Sequence, residues 1–388
     1  MKRLDYRRRK WFHHRAAGEA RKRRRRQIIV APIHIRIWDG EDVLSAVSEK
    51  APSYPPEIMC FERNLDQTAG FLARLRRRLL SVGPRPSWTR NKNGTPRLRS
   101  YLDFARIEEI STSCALVLAA EYERIGKIIG SPPPVVNLDE WNEPVFFRLW
   151  QLGFFPLLGL TESNLADQVT EDENSMTLRF FSGANAEETE QADRMLQRLA
   201  KFIDPENSLP DDIAIPLNSA LSEAMVNVGM HAYPENYPFP FRHIGRWWLS
   251  GSANRKSRTL TVAIYDQGAT IPVTYRELAT AAKVRAFLAE NWPLKDNHVF
   301  AADAVHIEAA MKYGNTQSQK PNRGKGLPQM QEAIDVCGND RLMILSRGGR
   351  YIYHSAKKTE RSTFHSSIGG TLIEWTVTLP SHLPRPLQ

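Results

Sequence analysis

The stretch SEAMVNVGMHAY, residues 222–233, determines how the C-terminal half of this chain is interpreted. Apolar residues recur at helical spacing before and within it, so we predict an α-helix. Glu223, Asn227 and His231 are spaced by four residues, and each therefore advances only about 40° around a helix. The sequence predicts that these three side chains share one stripe.

This stripe combines a carboxylate with an amide, which suits a site for magnesium and phosphate. Asn227 offers a neutral oxygen of the kind that Mg²⁺ accepts as a ligand. Glu223 is placed to polarise a water for attack on a phosphate, the task of a general base. A solvated helix face is the alternative, and packing or hydrogen bonding is the role expected of His231. Asp211 and Asp212 are expected to cap the start of the helix.

The second informative segment is VAIYDQGATIP, residues 262–272. Thr261–Tyr265 alternates and is rich in β-branched residues, as is typical of a strand. The strand ends at Asp266, whose carboxylate can accept a hydrogen bond from an adenine amino group. Gly268 follows, and a glycine lets a flat base approach the backbone closely. On its own, this segment is equally consistent with a simple turn.

The third segment is RGKGLPQM, residues 323–330, in which Gly324 and Gly326 precede a predicted helix. Pro328 suits the first turn of that helix. Backbone N–H groups at a glycine-rich helix start form an anion site, and Lys325 adds a positive charge. A solvated loop lysine is the alternative role for Lys325.

Together and in this order, the three segments resemble the ATP-binding fold shared by gyrase, the heat-shock chaperone, histidine kinases and MutL (the GHKL, or Bergerat, fold). Glu-x-x-x-Asn-x-x-x-His also resembles the corresponding box of anti-sigma-factor kinases. The resemblance implies an α/β chain with a two-layer α+β sandwich over residues 176–382, binding ATP and Mg²⁺. Thr270 replaces the second glycine of the family's D-x-G-x-G element. The implied roles are catalysis by Glu223, metal binding by Asn227, and ATP binding by Asn227, His231, Asp266, Gly268, Thr270, Gly324, Lys325, Gly326 and Leu327.

A separate α/β unit is predicted over residues 28–165. It comprises a strand at Ile28–Trp38, a basic amphipathic helix around Phe71–Leu79, a loop at Pro84–Pro96, a strand at Tyr101–Phe104, a helix at Cys114–Ile129, a strand at Val135–Leu138 and a closing helix near Phe146–Gly153. Its second half resembles STAS domains, the fold of anti-anti-sigma factors. Thr112 takes the position of their phosphorylatable hydroxyl. Capping of the following helix by Ser111 and Thr112 is the alternative.

The positive charge of the chain is concentrated in one N-terminal tail, residues 1–27. Residues 1–26 hold 13 of the 53 Lys and Arg and 2 of the 43 Asp and Glu, a net charge of +11, whereas the remaining residues hold 40 and 41. Such a block repels itself and is expected to be disordered alone. It suits contact with nucleic acid or an anionic surface, or it serves only as a solubilising tail.

Composition limits the cellular setting. Three scattered cysteines show no metal or disulfide spacing, which favours a reducing, cytoplasmic compartment. No apolar run approaches the length of a membrane span, and the expected partners are another protein or a second copy of the chain.

Two function classes follow from the resemblance. The first is an ATP-dependent regulatory switch with weak hydrolysis, and the second is a serine/threonine kinase of the anti-sigma type. The chain ends soon after its last predicted strand and carries no histidine on the helix predicted at Ala192–Phe202. We therefore expect neither a gyrase-like transducer nor a histidine kinase. A nucleotide-gated nucleic-acid binder is a third, non-enzymatic alternative.

Overall fold

A computed structural model describes most of the chain. The described residues are Arg15 and the ranges 33–38, 43–48, 53–80, 88–90, 96–98, 101–130, 134–160, 172–278, 282–293, 298–314, 326–335, 340–355 and 357–380. The basic tail therefore lies almost entirely outside the described residues. Within these ranges no helix has the length and apolarity needed to cross a bilayer, in agreement with the sequence.

The chain forms a mixed α/β structure, which confirms the predicted class. The α-helices of the described ranges are α1 (Leu65–Leu80), α2 (Thr112–Ile129), α3 (Glu143–Leu152), α4 (Thr189–Ile203), α5 (Asp211–Asn227), α6 (Ile271–Leu278), α7 (Ala282–Glu290), α8 (Asp303–Tyr313), α9 (Gly326–Gln329) and α10 (Glu332–Asp335). Its strands are β1 (Ile33–Trp38), β2 (Val43–Ser48), β3 (Ile58–Met59), β4 (Trp88–Arg90), β5 (Pro96–Leu98), β6 (Glu109–Ile110), β7 (Val135–Val136), β8 (Ser175–Thr177), β9 (Phe181–Gly183), β10 (Trp247–Asn254), β11 (Thr259–Asp266), β12 (Arg341–Ser346), β13 (Gly349–His354), β14 (Thr359–Thr363) and β15 (Thr371–Thr378).

An eight-stranded antiparallel sheet forms the centre of the C-terminal half. Its strand order is β14-β13-β12-β15-β11-β10-β8, and β9 also pairs with β10. Side chains alternate between its two faces with the period of a strand. Trp247 and Leu249 enter the core with α4 and α5, which defines the front face. Trp248 and Tyr265 enter a different core with α2, which defines the back face.

The front face is covered by α4 and α5. Helix α4 buries residues at helical spacing, as expected of an amphipathic helix packed on a sheet: Ala192, Met195, Leu196, Leu199, Ala200 and Ile203. Helix α5 confirms the predicted helix. However, its N-cap position is Pro210 and no side chain caps it, so the expected capping by Asp211 and Asp212 is wrong.

The back face is covered by α2, which is buried on nearly all sides. Trp248 of β10 donates from Nε1 to Oε2 of Glu123 at 2.6 Å. Thr112 donates from Oγ1 to Oγ of Ser252 at 2.8 Å. The central sheet therefore lies between two helical layers: the front layer comes from residues 176–382, and the back layer, α2, comes from the predicted N-terminal unit. The two predicted units, residues 28–165 and 176–382, share one hydrophobic core across this face.

A smaller five-stranded sheet, in the order β4-β5-β2-β1-β7, forms the N-terminal part. The predicted strand at Ile28–Trp38 is described from Ile33 onward. The predicted loop at Pro84–Pro96 contains strand β4, which pairs with β5. The strand predicted at Tyr101–Phe104 is wrong, because this segment makes only an isolated bridge between Ser53 and Leu102.

In the C-terminal half, the strand predicted at Thr261–Tyr265 is confirmed. The sequence also predicts strands at Arg341–Ser346 and Thr371–Leu379, and the structure has strands β12 and β15 there. The sequence predicts one strand over Met176–Phe181, whereas the structure has two short strands, β8 and β9, which both pair with β10. The helix predicted after Pro328 is divided into α9 and α10.

Candidate functional site

Asp266 is the last residue of β11 and lies on the front face, opposite Thr371 of β15. Its side chain is nearly fully buried, and Oδ1 accepts a hydrogen bond from the Gly268 N–H at 2.8 Å. Burial raises the pKa of Asp266 from 3.8 to about 7, although the backbone N–H groups of Gly268 and Thr371 act to lower it. The site thus contains a carboxyl group that titrates near neutral pH.

Gly268 joins the second segment to the first. Its Cα lies against Ala232, so that any side chain at position 268 would overlap the Ala232 backbone. The next residue, Ala269, donates its N–H to the Ala232 carbonyl at 2.6 Å. Only a glycine fits this close approach, and the contact fixes the turn after β11 against the end of the first segment.

Gly326 joins the third segment to the first. A methyl group at position 326 would overlap the carboxylate of Glu223. Helix α9 begins at this glycine and is held to the front face through the Met330 carbonyl, which accepts a hydrogen bond from Trp375 Nε1 at 3.1 Å. Gly324 and Lys325 lie outside the described residues, so their predicted roles stay predictions.

Glu223 and Asn227 lie on the last two turns of α5. Partial burial raises the pKa of Glu223, and the neighbouring Asn227 amide offsets this effect in part. Asn227 Nδ2 is itself buried and makes no hydrogen bond of acceptable geometry among the described residues. Buried polar groups are normally hydrogen-bonded, and the group that the Asn227 amide faces is the Glu223 carboxylate, whose pKa it lowers.

The other predicted site residues within the described ranges are His231, Thr270 and Leu327. His231 is exposed in a π turn, Val228–Ala232, so the three stripe residues do not share one regular α-helix. Thr270 is buried before α6, and its Oγ1 has no partner among the described residues. Leu327 is half-buried against the front-face core. The predicted packing role of His231 is therefore not observed.

Sequence reasoning missed a group of residues beneath Asp266. Gly370 lies against the Asp266 carbonyl, with no room for a side chain. The hydroxyls of Thr371 and Ser346 are 2.8 Å apart, and Ser346 also accepts the Ile271 N–H at 3.0 Å. The sequence signal for this group is Gly369-Gly370 before a strand. Two successive glycines indicate a tight turn, but they do not indicate which other segment the turn contacts.

The structure places Thr112 away from any exposed surface. Its side chain is buried and bonded to β10, while Ser111 occupies the N-cap position of α2 and its Oγ accepts from the Cys114 N–H at 3.3 Å. Of the two predicted roles of the Ser111-Thr112 pair, helix capping is confirmed for Ser111.

Two cavities lie away from the residues above. One of about 160 Å³ borders Arg74, Arg78 and Tyr101, and another of about 330 Å³ lies between α4 and α5. Neither is lined by Asp266 or Gly326. Within the described ranges no group of three or more His, Cys, Asp or Glu side chains is arranged to hold a metal ion.

The close contact between Gly326 and Glu223 predicts a stability effect. Gly326→Ala should lower the free energy of unfolding by about 1 kcal/mol, the lower end of the range for overpacking, because the new methyl group meets only the flexible end of the Glu223 side chain. The double variant with Glu223→Ala should recover part of this loss, since the colliding carboxylate is gone. Denaturant unfolding of the two single variants and the double variant measures the coupling.

Gly126→Ala provides the matched control for this prediction. Gly126 lies inside α2, and a methyl group there meets nothing within 4 Å. The control should stabilise the protein by roughly 0.5–1 kcal/mol through helix propensity. Additive effects of the substitutions at positions 223 and 326 would contradict the contact.

Comparisons with known proteins add no assignment: no protein-family model matches the chain, and no curated protein matches it significantly.

Proposed function

We propose that the chain is an ATP-binding protein of the GHKL class that acts as an ATP-dependent regulatory switch with weak hydrolysis. The observation that carries this proposal is that the first segment contacts both of the others on the front face. Helix α5 contacts Gly326 through Glu223, and the π turn after it contacts Gly268 through Ala232. Helix α5 and the π turn after it therefore link Glu223 and Asn227 to the turn that follows Asp266.

In this proposal Asp266 accepts a hydrogen bond from the adenine amino group. It is buried at a strand end, next to the turn that Gly268 packs against Ala232. The protein would recognise the base through a hydrogen bond at the edge of the ring, since adenine carries no charge for an ion pair. Recognition by a buried acceptor is selective, because a ligand without the matching donor leaves the acceptor unpaired.

Asn227 Oδ1 would contact magnesium that accompanies the phosphates, an ion that keeps several waters and uses few protein ligands. Glu223, with its raised pKa, would take a proton from the attacking water. The segment from Gly324 to Leu327, with Lys325, would meet the phosphates, and His231 and Thr270 would complete the ATP site. These assignments follow the predicted roles.

The regulatory part of the proposal rests on the shared sheet. Strand β11 ends in the site residue Asp266 on the front face and packs α2 on its back face. A shift at the end of β11 can therefore reach the N-terminal helices through one rigid element, and a protein partner that contacts those helices would sense the nucleotide. A homodimer partner remains a further proposal.

The closing test uses ATP labelled at the γ-phosphate with the full-length chain and magnesium. Slow release of labelled phosphate supports the switch, and transfer of label to an added protein supports the kinase alternative. Binding without either reaction supports a nucleotide-gated binding module, with residues 1–26 as the nucleic-acid or anionic contact. Absence of ATP binding by calorimetry at millimolar nucleotide would refute the proposed function.

A further inference from the structure

A cluster of three charged residues lies buried behind β11. Arg76 of α1 and Glu121 of α2 pair at 3.0 Å between Nε and Oε1, and Arg124 pairs with the other carboxylate oxygen. All three side chains are at most 3% exposed. We call this group the back-face cluster. It carries two positive charges and one negative charge in the interior.

Arg76 uses its remaining donors to hold the chain before β15. Its two terminal nitrogens donate to the carbonyls of Ser367 at 3.0 Å and Ile368 at 2.5 Å. The hydroxyl of Tyr265 donates to the same Ile368 carbonyl at 3.1 Å. Gly369 follows with φ of +85°, and its Cα faces the Arg76 guanidinium with no room for a side chain. The planar guanidinium thus fixes two successive peptide groups.

The segment held by Arg76 contacts the candidate site directly. Gly370 lies against the Asp266 carbonyl, and Thr371 lies opposite Asp266 in the sheet. A second link runs from the residue after Asp266: Gln267 donates from Nε2 to the Ala120 carbonyl of α2 at 3.1 Å. The backbone at Asp266 is therefore held from behind by groups of α1 and α2.

The energetic cost of the cluster indicates a geometric role. Burying ion pairs rarely stabilises a fold more than apolar side chains of similar volume would. A bidentate guanidinium, however, fixes the position and direction of its acceptors in a way that an apolar side chain cannot. The consequence of the cluster is a fixed path for Ser367–Gly370 and hence for the residue that packs on it.

We infer that Arg76, oriented by Glu121, is a positioning residue for recognition of the adenine amino group by Asp266. This inference rests on the proposed function. Inosine triphosphate has a carbonyl oxygen where ATP has the amino group. The inference therefore makes the preference for ATP over inosine triphosphate depend on Arg76 of α1, which lies on the opposite face of the sheet from the nucleotide.

The test measures affinities for ATP and inosine triphosphate in the full-length protein and in Arg76→Lys. The wild type should prefer ATP by roughly 5- to 150-fold, the range for one buried hydrogen bond. Lysine keeps the charge but loses the two-pronged grip on the carbonyls, so the preference should fall roughly 2- to 5-fold, the effect of one weakened hydrogen bond. Equal losses of affinity for both nucleotides would indicate a merely structural role and overturn the inference.

Arg341→Lys is the matched control. Arg341 also forms ion pairs of the sheet, with Glu62 and Glu374, but it begins β12 at the end far from Ser346, about 17 Å away along the strand. Its substitution should leave the ratio of affinities unchanged. An equal fall of the ratio in Arg341→Lys would contradict a specific role for Arg76.

Tyr265→Phe keeps the inference testable if Arg76→Lys fails to fold. This change removes one hydroxyl bond to the Ile368 carbonyl and alters little volume, and it should lower the ratio in the same direction by a smaller factor. An unchanged ratio in this variant would overturn the inference. A wild type that binds neither nucleotide would instead refute the proposed function, so the two failures are distinguishable.

Discussion

Glu223→Ala is expected to lower ATP turnover by about 10²–10⁴-fold, the usual contribution of a general base, while ATP affinity stays close to that of the wild type. A general base acts in the transition state, so its removal spares ground-state binding. Phosphate release under saturating ATP and calorimetry on the same preparation measure the two quantities.

Asn227→Ala provides the contrast on the same helix. A metal ligand acts in the ground state, so this variant should lose magnesium-dependent ATP affinity, whereas binding measured without magnesium should change little. Equal loss of binding in both variants would show that Glu223 is structural. Unchanged binding and turnover in both would show that the stripe is a solvated face.

The pH profile gives an independent check on Glu223. Burial raises its pKa above the usual value for a glutamate, and only the ionised form can accept a proton. Turnover by the wild type should therefore fall as the pH decreases through this raised pKa, and the residual turnover of Glu223→Ala should lack this limb. Turnover must be measured at an ATP concentration that saturates the protein at every pH, so that protonation of Asp266 does not alter the amount of bound ATP.

Much of the C-terminal half was predictable because its signals are local. Strands β11 and β12 have alternating β-branched or apolar residues, and α5 has apolar residues at helical spacing. Strand β10 was not predicted, since Gly251 and Asn254 lie within it and both disfavour strands. Its two adjacent tryptophans point to opposite faces, and this becomes interpretable only when both faces are known to be covered.

The placement of α2 was not predictable from local pattern, although one signal was present. A helix that is apolar on all sides is buried on all sides, and α2 buries thirteen residues around its circumference. This pattern indicates that the helix is buried, but it does not indicate which surfaces of the protein cover it. The contact with the back face is set by residues more than a hundred positions away, such as Thr112 with Ser252.

The candidate site shows the same division. The spacing of Glu223 and Asn227 and the position of Asp266 at a strand end could be read from the sequence. The contact of Gly326 with Glu223 and that of Gly268 with Ala232 could not, because each joins segments that only the folded sheet brings together. The π turn that displaces His231 also lacks a local signal, since its residues fit an α-helix equally well.

Asp266→Asn is expected to lower ATP affinity by roughly 5- to 150-fold, because the new amide presents a donor to the adenine amino group and a mismatched buried hydrogen bond costs about 1–3 kcal/mol. Affinity for inosine triphosphate should fall less, since its carbonyl oxygen can accept from that amide. Calorimetry with both nucleotides measures the change in preference, and wild-type ATP affinity in the variant would remove Asp266 from the site.

The same substitution should stabilise the protein without nucleotide at pH 8. The folded-state pKa of Asp266 is raised from 3.8 to about 7, so the folded state binds a proton more tightly than the unfolded state. The stability associated with that proton is fully present below pH 3.8 and is lost as the pH rises through about 7. The loss amounts to roughly 4 kcal/mol at most, and asparagine avoids it.

Denaturant unfolding of the wild type and Asp266→Asn at several pH values tests this expectation. The stability advantage of the variant should be largest at pH 8 and should shrink toward pH 4, where the wild-type carboxyl group is neutral when folded. Asp211→Asn, at an exposed position in the first turn of α5, should show no comparable pH-dependent gain.

An Asp266→Asn variant with lower ATP affinity and higher stability would show that burial of the Asp266 carboxyl group costs folding free energy and serves recognition. A variant that loses stability at pH 8 would show instead that the ionised carboxylate is satisfied in the folded protein, and the predicted direction of its pKa would be wrong.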